Sequence, residues 1–133
     1  TGQARVVEAW SAVDCGKAIN PASVEVQIEG GFVQGMGFAL SEEMVWQDLA
    51  LVNPTLMDYK VPTALDAPYE IHPLIVESNE PEGPYGAKGV GEITLNPVAP
   101  AIANAIAAVT GARIRRLPLT PERILTGLLE KTK

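Results

Sequence analysis

Between Ala22 and Leu40 the apolar residues Val24, Ile28, Phe32, Val33, Met36 and Leu40 fall three and four apart, yet Gly30, Gly31, Gly35 and Gly37 lie among them. The spacing predicts a helix. Each glycine in a helix interior costs roughly 1 kcal/mol relative to alanine, so four of them need a reason. One reason is close packing of the helix on a sheet. The other is a bound group that must lie against bare backbone. Asn20-Pro21 is a suitable start, because Asn caps well and Pro fits the first turn.

The rest of the chain reads as an α+β lobe around this helix. Arg5–Ser11 is rich in β-formers and continues through Ala12-Val13 to the turn Asp14-Cys15-Gly16. Glu42–Trp46 and Ala50–Val52 flank Gln47-Asp48 as a hairpin, and Tyr69–Val76 is a strand that Pro73 marks as an edge or bulged one. Asn96-Pro97 opens an Ala/Ile-rich helix, Val98–Val109, ended by Gly111 and apolar enough to be buried on most faces. Ala112–Leu117 reads as a short strand. Thr120-Pro121 starts a last helix, Glu122–Glu130, with Ile124, Leu125, Leu128 and Leu129 as one apolar face. The expected architecture is a mixed sheet packed by the Gly-rich, Ala-rich and C-terminal amphipathic helices. Residues 1–133 form a single lobe of something larger.

Composition excludes several functions. Net charge is −6, and the only basic knot is Arg113, Arg115 and Arg116, so a nucleic-acid partner is not expected. No apolar run approaches the ~20 residues of a membrane span. One cysteine, Cys15, and one histidine, His72, cannot make a zinc site of normal composition. A lone cysteine also favours a reducing, cytoplasmic setting. The first residues, Thr1–Arg5, have no initiator Met and no signal-peptide pattern, as in a chain that begins in mid-protein. His72, between Ile71 and Pro73, reads as structural or solvent-facing.

Chemistry is concentrated in Glu77–Glu92 (ESNEPEGPYGAKGVGE), with four glycines and two prolines in sixteen residues. A long irregular segment in a compact domain is usually functional. Gly86–Glu92 lacks the spacing of a phosphate-binding loop, and Gly35-Met36-Gly37 does not complete a dinucleotide fingerprint. What remains is Glu92, a carboxylate beside Gly89 and Gly91 whose flexible backbone can bring it against a bound group. An ionised carboxylate can act as a base; on a loop it can equally be an ordinary solvated acid.

These residues resemble a known family. Gly86–Glu92 (GAKGVGE) closely resembles the glutamate-bearing loop of the molybdenum hydroxylases, which include xanthine dehydrogenases and aldehyde oxidases. Asp14-Cys15-Gly16 with Ile19-Asn20-Pro21, the helix segment Gln27–Gly37, Asp58–Pro62 and Leu117–Arg123 resemble further blocks in the family's order. The resemblance spans nearly the whole chain and is that of the C-terminal part of the molybdenum-cofactor subunit.

The resemblance implies a molybdopterin cofactor, in bacteria often the cytosine dinucleotide, with 2Fe-2S clusters and FAD in other parts of the complex. It implies that Glu92 is the general base for the molybdenum-bound hydroxyl in hydroxylation of an aldehyde or N-heteroaromatic substrate. Gln34 would lie near the metal, with Gly35, Lys88, Gly89 and Val90 as further cofactor contacts; no protein side chain would ligate molybdenum, and Cys15 would be a packing residue. The partners would be the remainder of the subunit and the iron–sulfur and flavin subunits or domains. Alone, the chain would turn nothing over. Two other readings are a scaffold domain that keeps the fold without turnover, and an acid/base enzyme pairing Glu92 with a neighbour such as Glu82.

Overall fold

The structure, a computed structural model, describes residues 1–131. Its longest element is the glycine-bearing helix α1, Pro21–Leu40. The Asn20 side chain caps it by accepting from the Ser23 amide at 3.2 Å. Val24, Ile28, Phe32 and Met36 form its buried stripe, as the spacing requires. Strand β1, Glu8–Asp14, begins three residues later than expected, and alternates exposed and buried side chains. Its partner, Glu70–Val76 (here β4), pairs with it in parallel, Glu8 opposite Glu70 and Asp14 opposite Val76. Ala9, Ser11 and Val13 face inward, and α1 packs beneath both strands.

The hairpin forms at Trp46–Gln47 (β2) and Ala50–Leu51 (β3). Asp48 and Leu49 both have positive φ, 48° and 65°, the backbone a two-residue turn of this hand demands. It makes a sheet of its own, so the described residues form two separate two-stranded sheets in place of one mixed sheet.

Three further expectations are corrected. Helix α2, Val98–Thr110, is capped at Pro97 without a side-chain bond, so Asn96 is not its cap. Only Val98 and Ile102 of α2 are buried, and Val109 is 89% exposed, because neighbours cover one side alone. Ala112–Leu117 is irregular. Its side chains do alternate, Ala112 buried and Arg113 exposed, but no strand lies alongside to accept its backbone bonds. Ile114 packs instead near Gly127 of α3, Pro121–Lys131, whose inner face is Ile124 and Leu128 while Leu125 and Leu129 stay exposed.

One core joins Ala9, Phe32, Met36, Val98, Ile102, Leu119 and Ile124. A smaller one joins Val13, Cys15, Val24 and Ile28 beneath the loop that follows β4. The stretch Glu92–Thr110 has the length and apolarity of a membrane span. Its continuous α-helix, however, is the 13 residues of α2, short of the ~20 that a bilayer core requires.

Candidate active site

The parallel pairing of β1 and β4 brings the turn after each strand to the same end of the sheet. Asp14 joins them. One carboxylate oxygen accepts from the Gly16 amide and the Ser78 hydroxyl, both at 2.9 Å, and the other from Lys88 Nζ at 2.7 Å. The Lys88 bond, then the Gly16 and Ser78 bonds, hold the Asp14 carboxyl well below the usual carboxylate range. The same pair raises the Lys88 ammonium above its ordinary value. Backbone bonds from Lys88 to Cys15 (2.8 Å) and from Asn79 to Gly16 (3.0 Å) complete the seam. Gly16, at φ +68°, has the Gly86 carbonyl 2.3 Å from where a Cβ would stand, so only glycine permits this approach.

From Lys88 the chain crosses to α1. Val90 packs on the smaller core. Then Glu92–Thr94 forms a 3-10 turn whose Thr94 is fully buried. A Cβ on Gly31 would stand 1.7 Å from Thr94 Oγ1, and one on Gly35 would stand 2.7 Å from Val98 Cβ. Two of the costly helix glycines thus exist so that this turn and α2 can lie directly on α1. Gly37 does the same for Glu42 and Pro62. Gly30 faces open space.

Glu92 is exposed, and its carboxylate has no hydrogen-bond or ion-pair partner among the described residues. It is nevertheless fixed in place, two residues before the buried Thr94. Gly89 and Gly91 have nothing within 4 Å of a notional Cβ, and neither has a positive φ. Their absent side chains leave room beside the loop. Gln34 is exposed on α1, one turn beyond Gly31. Gly35 is buried against Leu95 and Val98, and the Lys88 ammonium is held by Asp14. A cleft of about 300 Å³ runs between the start of α1 (Ser23, Val24, Gln27) and the Lys88–Gly91 segment.

Outside this region, His72 lies between two carboxylates, Glu8 on Nε2 at 2.8 Å and Glu70 on Nδ1 at 3.7 Å, and stacks on Trp10. The acids lie on opposite ring nitrogens of this half-buried histidine. Cys15 is a buried free thiol packed in the smaller core. The turn at Asp14-Cys15-Gly16 is legible in the sequence, but the bonds that Asp14 takes from Lys88 and Ser78 are not. Its signal was an Asp two residues before a Gly at a strand end, the pattern of a side chain that closes its own turn.

The family described as "molybdopterin cofactor-binding domain" matches residues 1–68. The chain belongs to that family. It is 46% identical over 123 residues, 87% of this chain, to the putative xanthine dehydrogenase molybdenum-binding subunit XdhA of Escherichia coli K12. It is 37% identical over 129 residues, 95% of this chain, to subunit gamma of the 6-hydroxypseudooxynicotine dehydrogenase complex of Paenarthrobacter nicotinovorans. The aldehyde oxidoreductase from Desulfovibrio desulfuricans superposes with a TM-score of 0.87 over 96% of the chain at 39% identity. The chain spans 16% of the length of each of the first two relatives and 14% of the third. The family match ends at residue 68, but the alignment to the first relative covers 87% of the chain and so extends beyond it.

Proposed function

We propose that this chain is part of a molybdenum hydroxylase that oxidatively hydroxylates an aldehyde or N-heteroaromatic substrate, with Glu92 as its general base. One observation carries the reading: Glu92 is an unpaired carboxylate whose backbone is fixed on α1 by the Thr94–Gly31 contact. An acid that merely keeps a surface soluble needs no such anchor.

Part of the set suits a molybdopterin: Lys88, Val90 and Gly91 line the cleft, whereas Gln34, Gly35, Gly89 and Glu92 are not among its lining residues. Gly89 and Gly91 leave open space where side chains would stand, beside a cleft between α1 and the loop. Such bare backbone is what a large, flat, polar group can approach. Gln34, Gly89 and Val90 would hold it through the side-chain amide and backbone N–H groups. Lys88 and Gly35 would support that surface, one through its pair with Asp14 and the other by seating α2. When bound, the molybdenum cofactor, as molybdopterin or its cytosine dinucleotide, supplies the oxidising power for the hydroxylation.

Glu92 supplies the proton acceptor. A carboxylate oxygen takes up the proton released as the substrate carbon is hydroxylated, and solvent exposure on its outer side lets that proton leave afterwards. Asp14 and Lys88 neutralise each other, so the ammonium is not left to ion-pair with Glu92 and silence it. The reading includes a cytoplasmic enzyme in which the remainder of the molybdenum subunit and iron–sulfur and FAD parts complete the site and carry electrons away. The isolated chain is then inactive.

Replacing Glu92 by Gln in the complete enzyme is expected to slow substrate oxidation by about 10²–10⁴-fold, the usual contribution of a general base. Metal content and thermal unfolding should stay unchanged. Turnover close to that of the unsubstituted enzyme would overturn the assignment.

A further inference from the structure

The β1–β4 pair carries a group of side chains that the candidate site does not use. Glu8 and Glu70 stand directly opposite each other in the register, and His72 follows two residues after Glu70. Residues two apart on a strand share a face, so all three project from the same side of the sheet. Glu8 and Glu70 are exposed there and His72 is half-buried. One ligand atom from each, an imidazole nitrogen and two carboxylate oxygens, lie within 4.8 Å of one another.

Carboxylates set opposite each other on neighbouring strands repel. Neither has a lysine or arginine partner among the described residues. Each is paired with His72 alone, Glu8 at 2.8 Å and Glu70 at 3.7 Å. An imidazolium balances one of the two negative charges. A divalent cation balances both and leaves the imidazole neutral, the form in which it is a ligand. The ring plane is already fixed, because it stacks on Trp10 with 4.8 Å between centroids and 13° between planes. The Glu70 side chain is 66% exposed, so it can swing from the Nδ1 side toward Glu8 without disturbing the core.

We propose that Glu8, Glu70 and His72 bind a divalent transition-metal ion of the zinc class. His72 Nε2 and one oxygen of each carboxylate supply three ligands, and water completes the set. A lone histidine excludes the usual His/Cys zinc set, but carboxylates can take the other places. The imidazole selects such an ion over magnesium or calcium, which prefer oxygen throughout. Bonds of about 2.0–2.2 Å place the ligand atoms of a tetrahedral ion about 3.4 Å apart, a spacing that rotation of the Glu70 side chain reaches. The ion would clamp β1 to β4 at their first residues, as Asp14 joins them at the other end.

The inference does not depend on Glu92, because its test measures no turnover. The complete subunit is dialysed to equilibrium against zinc alone at neutral pH, with molybdenum content measured in parallel. The unsubstituted protein is expected to hold one zinc ion more than His72→Ala. Glu8→Gln and Glu70→Gln should each weaken that site at least about tenfold, since disturbing even an outer partner of a metal ligand costs that much. Anomalous diffraction at the zinc edge should place the ion between the three side chains. Equal zinc content in His72→Ala overturns the proposal. So does undiminished affinity in either glutamine variant, which would leave an ion-paired histidine and nothing more. If His72→Ala unfolds or loses molybdenum, the two glutamine variants decide, because they change only exposed side chains of nearly the same shape.

Discussion

Asp14 is the residue on which the candidate site's frame depends, although it is not expected to touch substrate. Its carboxylate takes bonds from Lys88, Gly16 and Ser78, and those bonds exist only with the ionised form. Its folded value is depressed, so the stabilisation is complete above the ordinary aspartate value of about 3.9. It fades only as pH falls through the lower folded value. Lys88 is shifted upward, so its share is complete below the ordinary lysine value and is lost as pH rises through the raised one. Between these limits the pair is intact. In an NMR titration Asp14 should therefore remain ionised at pH 3, where a free aspartate is mostly protonated. In Asp14→Asn the Gly16 and Lys88 amides should lose exchange protection at neutral pH. An ordinary aspartate titration would show that the seam does not form.

Among the elements, the short turn Glu92–Thr94 has the most consequence for its size, because Gly31 of α1 leaves the space that its Thr94 occupies. Gly31→Ala puts a methyl 1.7 Å from Thr94 Oγ1 and 2.7 Å from Thr94 Cβ, with the Leu95 backbone nitrogen 3.4 Å away. Such overpacking typically costs about 1–3 kcal/mol. Gly30→Ala on the same turn of α1 meets nothing within 4 Å, and should stabilise by up to about 1 kcal/mol through helix propensity. Denaturant unfolding of the two variants distinguishes steric need from mere tolerance. Equal stabilities would mean that the Thr94 contact does not hold Glu92. This contrast also marks what could be read in advance. Four glycines on a helical stripe announced a close approach, and Asn20, Thr120 and Gly111 announced helix ends, because these are local signals. That Gly31 receives Thr94 while Gly30 receives nothing depends on contacts more than sixty residues apart in sequence. For the same reason Ala112–Leu117 reads as a strand by its alternation yet lacks a neighbour, and Asn96 has a capping side chain in a place where Pro97 leads the helix.

For the whole molecule, large apolar side chains are exposed on several elements. Val109 of α2 is 89% exposed, Trp10 63% and Leu129 61%. They lie on different elements, so no single repacking hides them. Large exposed apolar patches mark interaction surfaces, and the relatives carry this region within a much longer polypeptide. A net charge of −6 opposes self-association but does nothing to cover such residues. A dye that fluoresces on apolar surface should therefore bind this chain, expressed alone, several-fold more strongly than it binds an equimolar amount of the longer subunit, at equal ionic strength and with native circular dichroism retained. Retained near-ultraviolet signal matters, since a loosened core would also bind the dye. Equal binding by both, with the fold intact, would mean that α2 and the outer face of β1 stay open to water in the longer protein. The chain would then be a self-contained module rather than one wall of a shared site.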